Sequence, residues 1–172
     1  GTNTGPIVDA GEDRTVGSAS PTVTLDGSVS DDGLPAGCLT ASWSILSGPD
    51  EATFSDAESI DTTVTLGSPG EYVLTLSVSD GVYSGDDVVG VTVEDDSPPA
   101  APTALKAAAK SSSDVSVTWA ASSDDVGVVA YRVYRNDSVV AAVGTTYYDD
   151  KGHAPGTELS YTATAVDAAG NE

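Results

Sequence analysis

Two stretches of this chain repeat one strand-and-turn pattern. Residues 70–81 read Gly-Glu-Tyr-Val-Leu-Thr-Leu-Ser-Val-Ser-Asp-Gly, and residues 156–167 read Gly-Thr-Glu-Leu-Ser-Tyr-Thr-Ala-Thr-Ala-Val-Asp. Tyr72, Leu74, Leu76 and Val78 alternate with mostly small or polar residues, as do Leu159, Tyr161, Ala163 and Ala165. A period of two places each set on one face of a strand, so each run is predicted to be a strand with one buried face. Each falls late in its own segment, which predicts two small β-sandwiches in series.

The rest of the chain agrees with that division. Strand-like stretches are expected at 6–8, 22–25, 40–46, 62–66, 71–78 and 87–93, separated by Gly, Pro, Asp and Ser clusters. A second set is expected at 103–108, 115–119, 130–134, 139–143, 146–148 and 159–166. Between the sets, residues 96–102 are rich in proline and read as a semi-rigid linker joining domains 1–95 and 103–172. With 172 residues and only one Phe, two Trp and seven Tyr, each core must be built mainly from Val and Leu. The run Ala107-Ala108-Ala109 is too short, between Pro102 and three serines, to nucleate a helix.

Twenty-seven acidic residues against six basic ones give a formal charge of −21. That balance argues against nucleic acid and anionic membranes as partners. It suits brine, millimolar calcium, or the plain solubility of an extracellular protein. Cys38 is alone, so no disulfide forms within the chain, and it is expected to act as a small buried or half-buried apolar group. There is no membrane-spanning run, no signal peptide and no Met, so the chain reads as an excised or mature segment.

By particular motifs the first segment resembles a PKD domain. Residues 6–13 (Pro-Ile-Val-Asp-Ala-Gly-Glu-Asp) are similar to the opening strand and turn of that family. They are followed by Thr24-Leu25-Asp26-Gly27-Ser28, by Trp43-Ser44-Ile45-Leu46-Ser47-Gly48-Pro49, and by the 70–81 run. The likeness is to the branch with a Ser-Gly-Pro centre. The second segment resembles a bacterial-type fibronectin type III domain through Val117-Thr118-Trp119, Asp124-Asp125-Val126-Gly127-Val128, residues 131–136 and Ala165-Val166-Asp167-Ala168-Ala169-Gly170-Asn171. It departs at Leu159, where that family commonly carries a corner tyrosine, and in lacking a last strand beside 159–166. The fold class implied is all-β: two tandem immunoglobulin-like antiparallel β-sandwiches, the second lacking its last strand. A boundary of the segment and a strand supplied by another chain both account for that lack. In the second case the open edge near Leu159–Val166 would allow self-association.

The PKD resemblance implies one site. Some members hold calcium with an Asn at the entry, acidic residues in the loop after the second strand, and the Asp that ends the Tyr-containing strand. The matching positions are Asn3, Asp31, Asp32 and Asp80. Calcium takes about six to eight hard oxygen ligands, which carboxylates, an Asn carbonyl and backbone oxygens can supply if the loops converge. The alternative is that these residues only serve turns. The other acidic pairs, Asp86-Asp87, Asp124-Asp125 and Asp149-Asp150 among them, read as solvated turns.

No catalytic constellation is visible. His153 is the only His and sits in a loop-like stretch, so neither a base with its partner nor a zinc site can be assembled. Trp43 and Trp119 lie inside alternating strands and are expected in the cores, not on a sugar-binding surface. Asn136-Asp137-Ser138 fits the N-glycosylation pattern and equally a hairpin turn. The expected function is a non-enzymatic extracellular spacer or adhesion segment of a larger secreted or cell-surface protein, with calcium stiffening the first domain. Two alternatives stand beside it. One is an accessory module binding an insoluble polysaccharide or protein substrate of a secreted hydrolase, and the other is a subunit of a self-assembling surface filament. The partners expected are neighbouring domains of the parent chain, polysaccharide or extracellular protein; neither nucleic acid nor membrane insertion is expected.

Overall fold

In the computed structural model, which describes residues 1–172, the run around Tyr72 forms a ten-residue strand, Gly70–Ser79, that buries every second side chain. Tyr72, Leu74, Leu76 and Val78 are each at most 2% exposed. The chain divides into two units, Gly1–Asp95 and Asp96–Glu172. All regular structure in both is β, and no helix is long and apolar enough to cross a membrane.

The first unit contains β1 (Ile7–Asp9), β2 (Arg14–Gly17), β3 (Thr22–Asp26), β4 (Ser28–Ser30), β5 (Thr40–Ser47), β6 (Thr53–Phe54), β7 (Asp61–Thr65), β8 (Gly70–Ser79) and β9 (Ser84–Glu94). A four-stranded sheet runs β2-β9-β8-β5, a three-stranded sheet runs β3-β7-β6, and β1 pairs with β4. Leu25 and Val64 of the smaller sheet join Trp43, Leu74, Leu76, Val89 and Val91 of the larger in one core. Trp43 stacks on Phe54 with ring centroids 6.4 Å apart, and its indole N–H donates to the Ile60 carbonyl at 3.0 Å. The Trp is thereby both packed and polar-satisfied.

One pairing departs from the antiparallel expectation. β2 lies parallel to β9, with Arg14 opposite Val91 and Gly17 opposite Glu94. The opening segment makes two strands, not one. After β1 the chain turns at Gly11 (φ +88°), where a Cβ would stand 3.0 Å from the Asp26 carbonyl oxygen, and then joins the four-stranded sheet as β2. Gly alone takes that φ without strain.

The second unit contains β10 (Thr103–Ala109), β11 (Val115–Ala120), β12 (Val128–Arg135), β13 (Ser138–Val143), β14 (Tyr147–Asp150) and β15 (Tyr161–Asp167). Its sheets run β10-β11-β14 and β13-β12-β15, so β15 lies at a sheet edge. Trp119 meets Tyr131 edge-on at 5.5 Å in a core with Val117, Val133 and Ala165. Asn136 and Asp137 take φ of 49° and 63° between β12 and β13, the conformation of a two-residue hairpin turn that matches strand twist. The Asn136 Oδ1 also accepts from the Ser160 amide at 2.9 Å.

Three expectations are corrected here. Leu159 lies outside the strand, which begins at Tyr161, because the preceding stretch turns through Gly152 and Gly156, both at positive φ. Cys38 is exposed, since it falls in the β4–β5 loop and not on an alternating strand. Asp150 is 3% exposed and not a solvated turn, because it is the inward-facing end of β14 and finds partners there.

Candidate metal centre

Three segments meet at one end of the first unit. Residues 3–6 lead into β1, residues 31–34 follow β4, and residues 80–83 join β8 to β9. The register of β1 on β4, with Ile7 opposite Ser30, brings the first two together. Thr4 then donates from its amide and its hydroxyl to Asp32 Oδ2, at 2.9 and 3.1 Å. The third segment closes on the first at two glycines. A Cβ on Gly5 would lie 3.0 Å from the Tyr83 Cβ, and one on Gly85 would lie 2.3 Å from the Pro6 carbonyl oxygen. The backbones therefore approach more closely than a side chain would permit.

Asp80 is the buried corner of this arrangement at 1% exposure. Its Oδ1 accepts the amides of Val82 and Tyr83, both at 2.7 Å, while its Oδ2 is buried without a hydrogen-bond donor. The Tyr83 amide holds the carboxyl below the usual carboxylate range; burial opposes this, and the Val82 amide and the Asn3 side chain add to the lowering. Asp80 is thus an anion at neutral pH.

Asp31 accepts the Gly33 amide on Oδ2 at 2.9 Å and, like Asp80, keeps its other oxygen buried and unbonded. The Asn3 amide lies beside Asp80 and interacts with its carboxylate, but neither its Oδ1 nor its Nδ2 reaches a partner in full hydrogen-bond geometry. Asp32 differs from these. Both its oxygens accept from the protein, Oδ2 from Thr4 and Oδ1 from the Leu34 amide at 3.0 Å, which suits a residue that orders the loop. Asn3, Asp31 and Asp80 therefore each carry a buried oxygen with no donor, which costs free energy in a protein interior unless something else supplies the positive charge. Carboxylate and amide carbonyl oxygens are hard ligands of the kind that Ca²⁺ takes.

The second unit holds a polar cluster that the sequence reading passed over. Arg135 Nη1 donates to both oxygens of Asp150 at 3.0 Å, and the Tyr161 hydroxyl donates to Oδ2 at 2.7 Å. His153 Nε2 lies 3.1 Å from the same oxygen. Burial alone would push Asp150 up, yet the bonds from Tyr161 and Arg135, with the Arg135 charge, outweigh it and hold the carboxyl below its ordinary value. Tyr161 is pushed up to about 12 by burial, then by its bond to Asp150 and that carboxylate's charge. Asp149 points the other way, to Lys110 at 2.7 Å. Alternation along β14 was the available signal, because it separates two adjacent Asp onto opposite faces. Asp124 does serve a turn, its Oδ2 accepting the amides of Val126 and Gly127.

Residues 10–93 match the family model described as K319L-like, PKD domain. The first unit belongs to the PKD family. The chain is 40% identical over 82 residues to exoglucanase B of Cellulomonas fimi, covering 48% of this chain and 8% of that protein. It is 30% identical over 169 residues to chitinase A1 of Niallia circulans, covering 94% of this chain and 24% of that protein. The chain thus spans less than a third of the length of these curated relatives. Among solved structures, the PKD domain from the KIAA 1837 protein shares 34% identity at a TM-score of 0.45, over 54% of this chain and 90% of that one.

Proposed function

We propose that this chain is a non-catalytic extracellular spacer or adhesion segment of a larger secreted or surface protein, stiffened by calcium held at Asn3, Asp31 and Asp80. The observation that carries the calcium reading is the set of three buried oxygens without donors, contributed by segments far apart in sequence. A divalent cation would supply the charge that the fold leaves unbalanced there. It would also tie residues 3, 31 and 80 together, so that the segment leading into β1 moves with the sandwich. Asp32 acts beside the ion through Thr4 and the Leu34 amide.

The non-catalytic reading rests on what the polar groups are doing. His153 is turned toward a carboxylate already served by Arg135 and Tyr161, in a structural cluster of the second unit. Both tryptophans are committed to cores. Calorimetric titration with CaCl₂ tests the metal reading: one binding event, weakened in Asp31→Asn, supports it, and no heat in the wild-type chain removes it.

A second reading is favoured by the relatives named chitinase and exoglucanase. In it the chain is an accessory module of a polysaccharide-degrading protein, placing a catalytic unit against its substrate. Sedimentation with insoluble chitin and cellulose separates the two. A spacer stays in the supernatant, and a binding module is pulled down.

A further inference from the structure

Two adjoining hollows in the first unit, of about 550 and 300 Å³, share Leu39, Thr40, Ala41, Glu58 and Val78. They form one open groove at the β5 edge. Cross-strand pairing sets its floor. Thr40 lies opposite Ser79 and Ser79 opposite Ser84, while Ser42 lies opposite Ser77. Neighbouring strands stand about 4.8 Å apart and same-face residues about 7 Å apart along a strand, so these hydroxyls form a grid.

The Ser79 hydroxyl is committed, since its Oγ donates to the Tyr83 carbonyl and accepts the Gly81 amide. The hydroxyls of Ser42, Ser77 and Ser84 have no such partners, and all three residues are exposed. Glu58 stands exposed at the rim with a free carboxylate, its amide held by Asp56 Oδ1. Leu39, half exposed, adds an apolar wall.

We propose that this groove binds a segment of a neutral polysaccharide chain, a reading that rests on the accessory-module function given above. Free hydroxyls can each donate to and accept from a sugar hydroxyl, and a carboxylate accepts two. The Leu39 side chain fits the C–H face of a pyranose ring. Charge selects among glycans: no Lys or Arg lines the groove, Glu58 and Asp61 do, and the chain carries −21 overall, so uronates and sulfated chains are repelled. The groove lacks an aromatic platform, which sets the expected affinity in the millimolar range.

Heteronuclear NMR titration of the whole chain with cellohexaose and chitohexaose, and with oligogalacturonate as the anionic control, reads the site directly. Shifts confined to residues 39–42, 58 and 77–84 are expected with at least one neutral sugar and not with the uronate. Glu58→Gln should weaken binding about tenfold, the equivalent of one hydrogen bond to a charged group. Ser77→Tyr, which fills the groove from an exposed strand position, should abolish it while leaving the remaining spectrum in place. No shift with either neutral sugar, or unchanged shifts in Ser77→Tyr, overturns the proposal. Sedimentation with insoluble chitin or cellulose is read separately. If the chain is pulled down without groove shifts, the accessory function survives and this site does not; if neither occurs, both fall.

Discussion

Arg135 grips both oxygens of Asp150 through one guanidinium nitrogen, at 3.0 Å each, across the two sheets of the second unit. Asp150 ends β14 in one sheet and Arg135 ends β12 in the other, so the pair ties the sandwich at that end. Asp150 is almost wholly buried, and removing one partner of such a pair leaves the other charge uncompensated. Asp150→Ala should therefore destabilise the second unit by about 2–4 kcal/mol, measured as a lower midpoint in urea unfolding followed by Trp119 fluorescence.

The same cluster contributes at both ends of the pH range. The folded Asp150 carboxyl lies below its unfolded value. Its contribution is therefore fully present above about pH 4 and is lost as pH falls through the lowered folded value. Tyr161 lies above its unfolded value, at about 12. Its contribution is present below about pH 10 and disappears as pH rises toward 12. Tyr161→Phe should flatten the alkaline limb of a stability profile and, by removing the hydroxyl that helps to hold Asp150 down, shrink the acid limb as well; an unchanged alkaline limb would contradict this assignment.

Gly85 faces the Pro6 carbonyl so closely that a Cβ there would sit 2.3 Å from its oxygen. The obstacle is backbone and cannot rotate away. Gly85→Ala should push residues 3–6 off the β8–β9 turn, costing about 1–3 kcal/mol in the first unit. Calcium affinity should fall with it, although the substitution touches no ligand. Calorimetry and thermal unfolding of this variant check both effects.

The alternation of β8 and the placing of Trp43 and Trp119 were legible because a period of two over several residues has one physical reading. β2 was not. Four residues, Arg14–Gly17, carry too little pattern to announce a strand, and their partner β9 lies more than 70 residues on and runs parallel. The place of Asp80 at the end of β8 was legible from the strand pattern, whereas the different bonding of Asp31 and Asp32 was not. Which of two adjacent carboxylates is consumed by Thr4 depends on how β1 registers on β4. Asp150 was hidden for a similar reason, since its partners sit 15 and 11 residues away on other strands.

The most direct test of the proposal that calcium stiffens the first unit is thermal unfolding in excess EDTA, in millimolar CaCl₂ and in molar NaCl, for the wild-type chain and for Asp31→Asn and Asp80→Asn. Saturation at a hundredfold excess over Kd adds about 2.7 kcal/mol, so the unfolding of the first unit should move up by several degrees with calcium. Sodium chloride should give a smaller rise, and both variants should lose the calcium-specific part. An equal rise with calcium and with sodium chloride, unchanged in the variants, would mean that the −21 charge is only being screened, and would contradict a specific site at Asn3, Asp31 and Asp80.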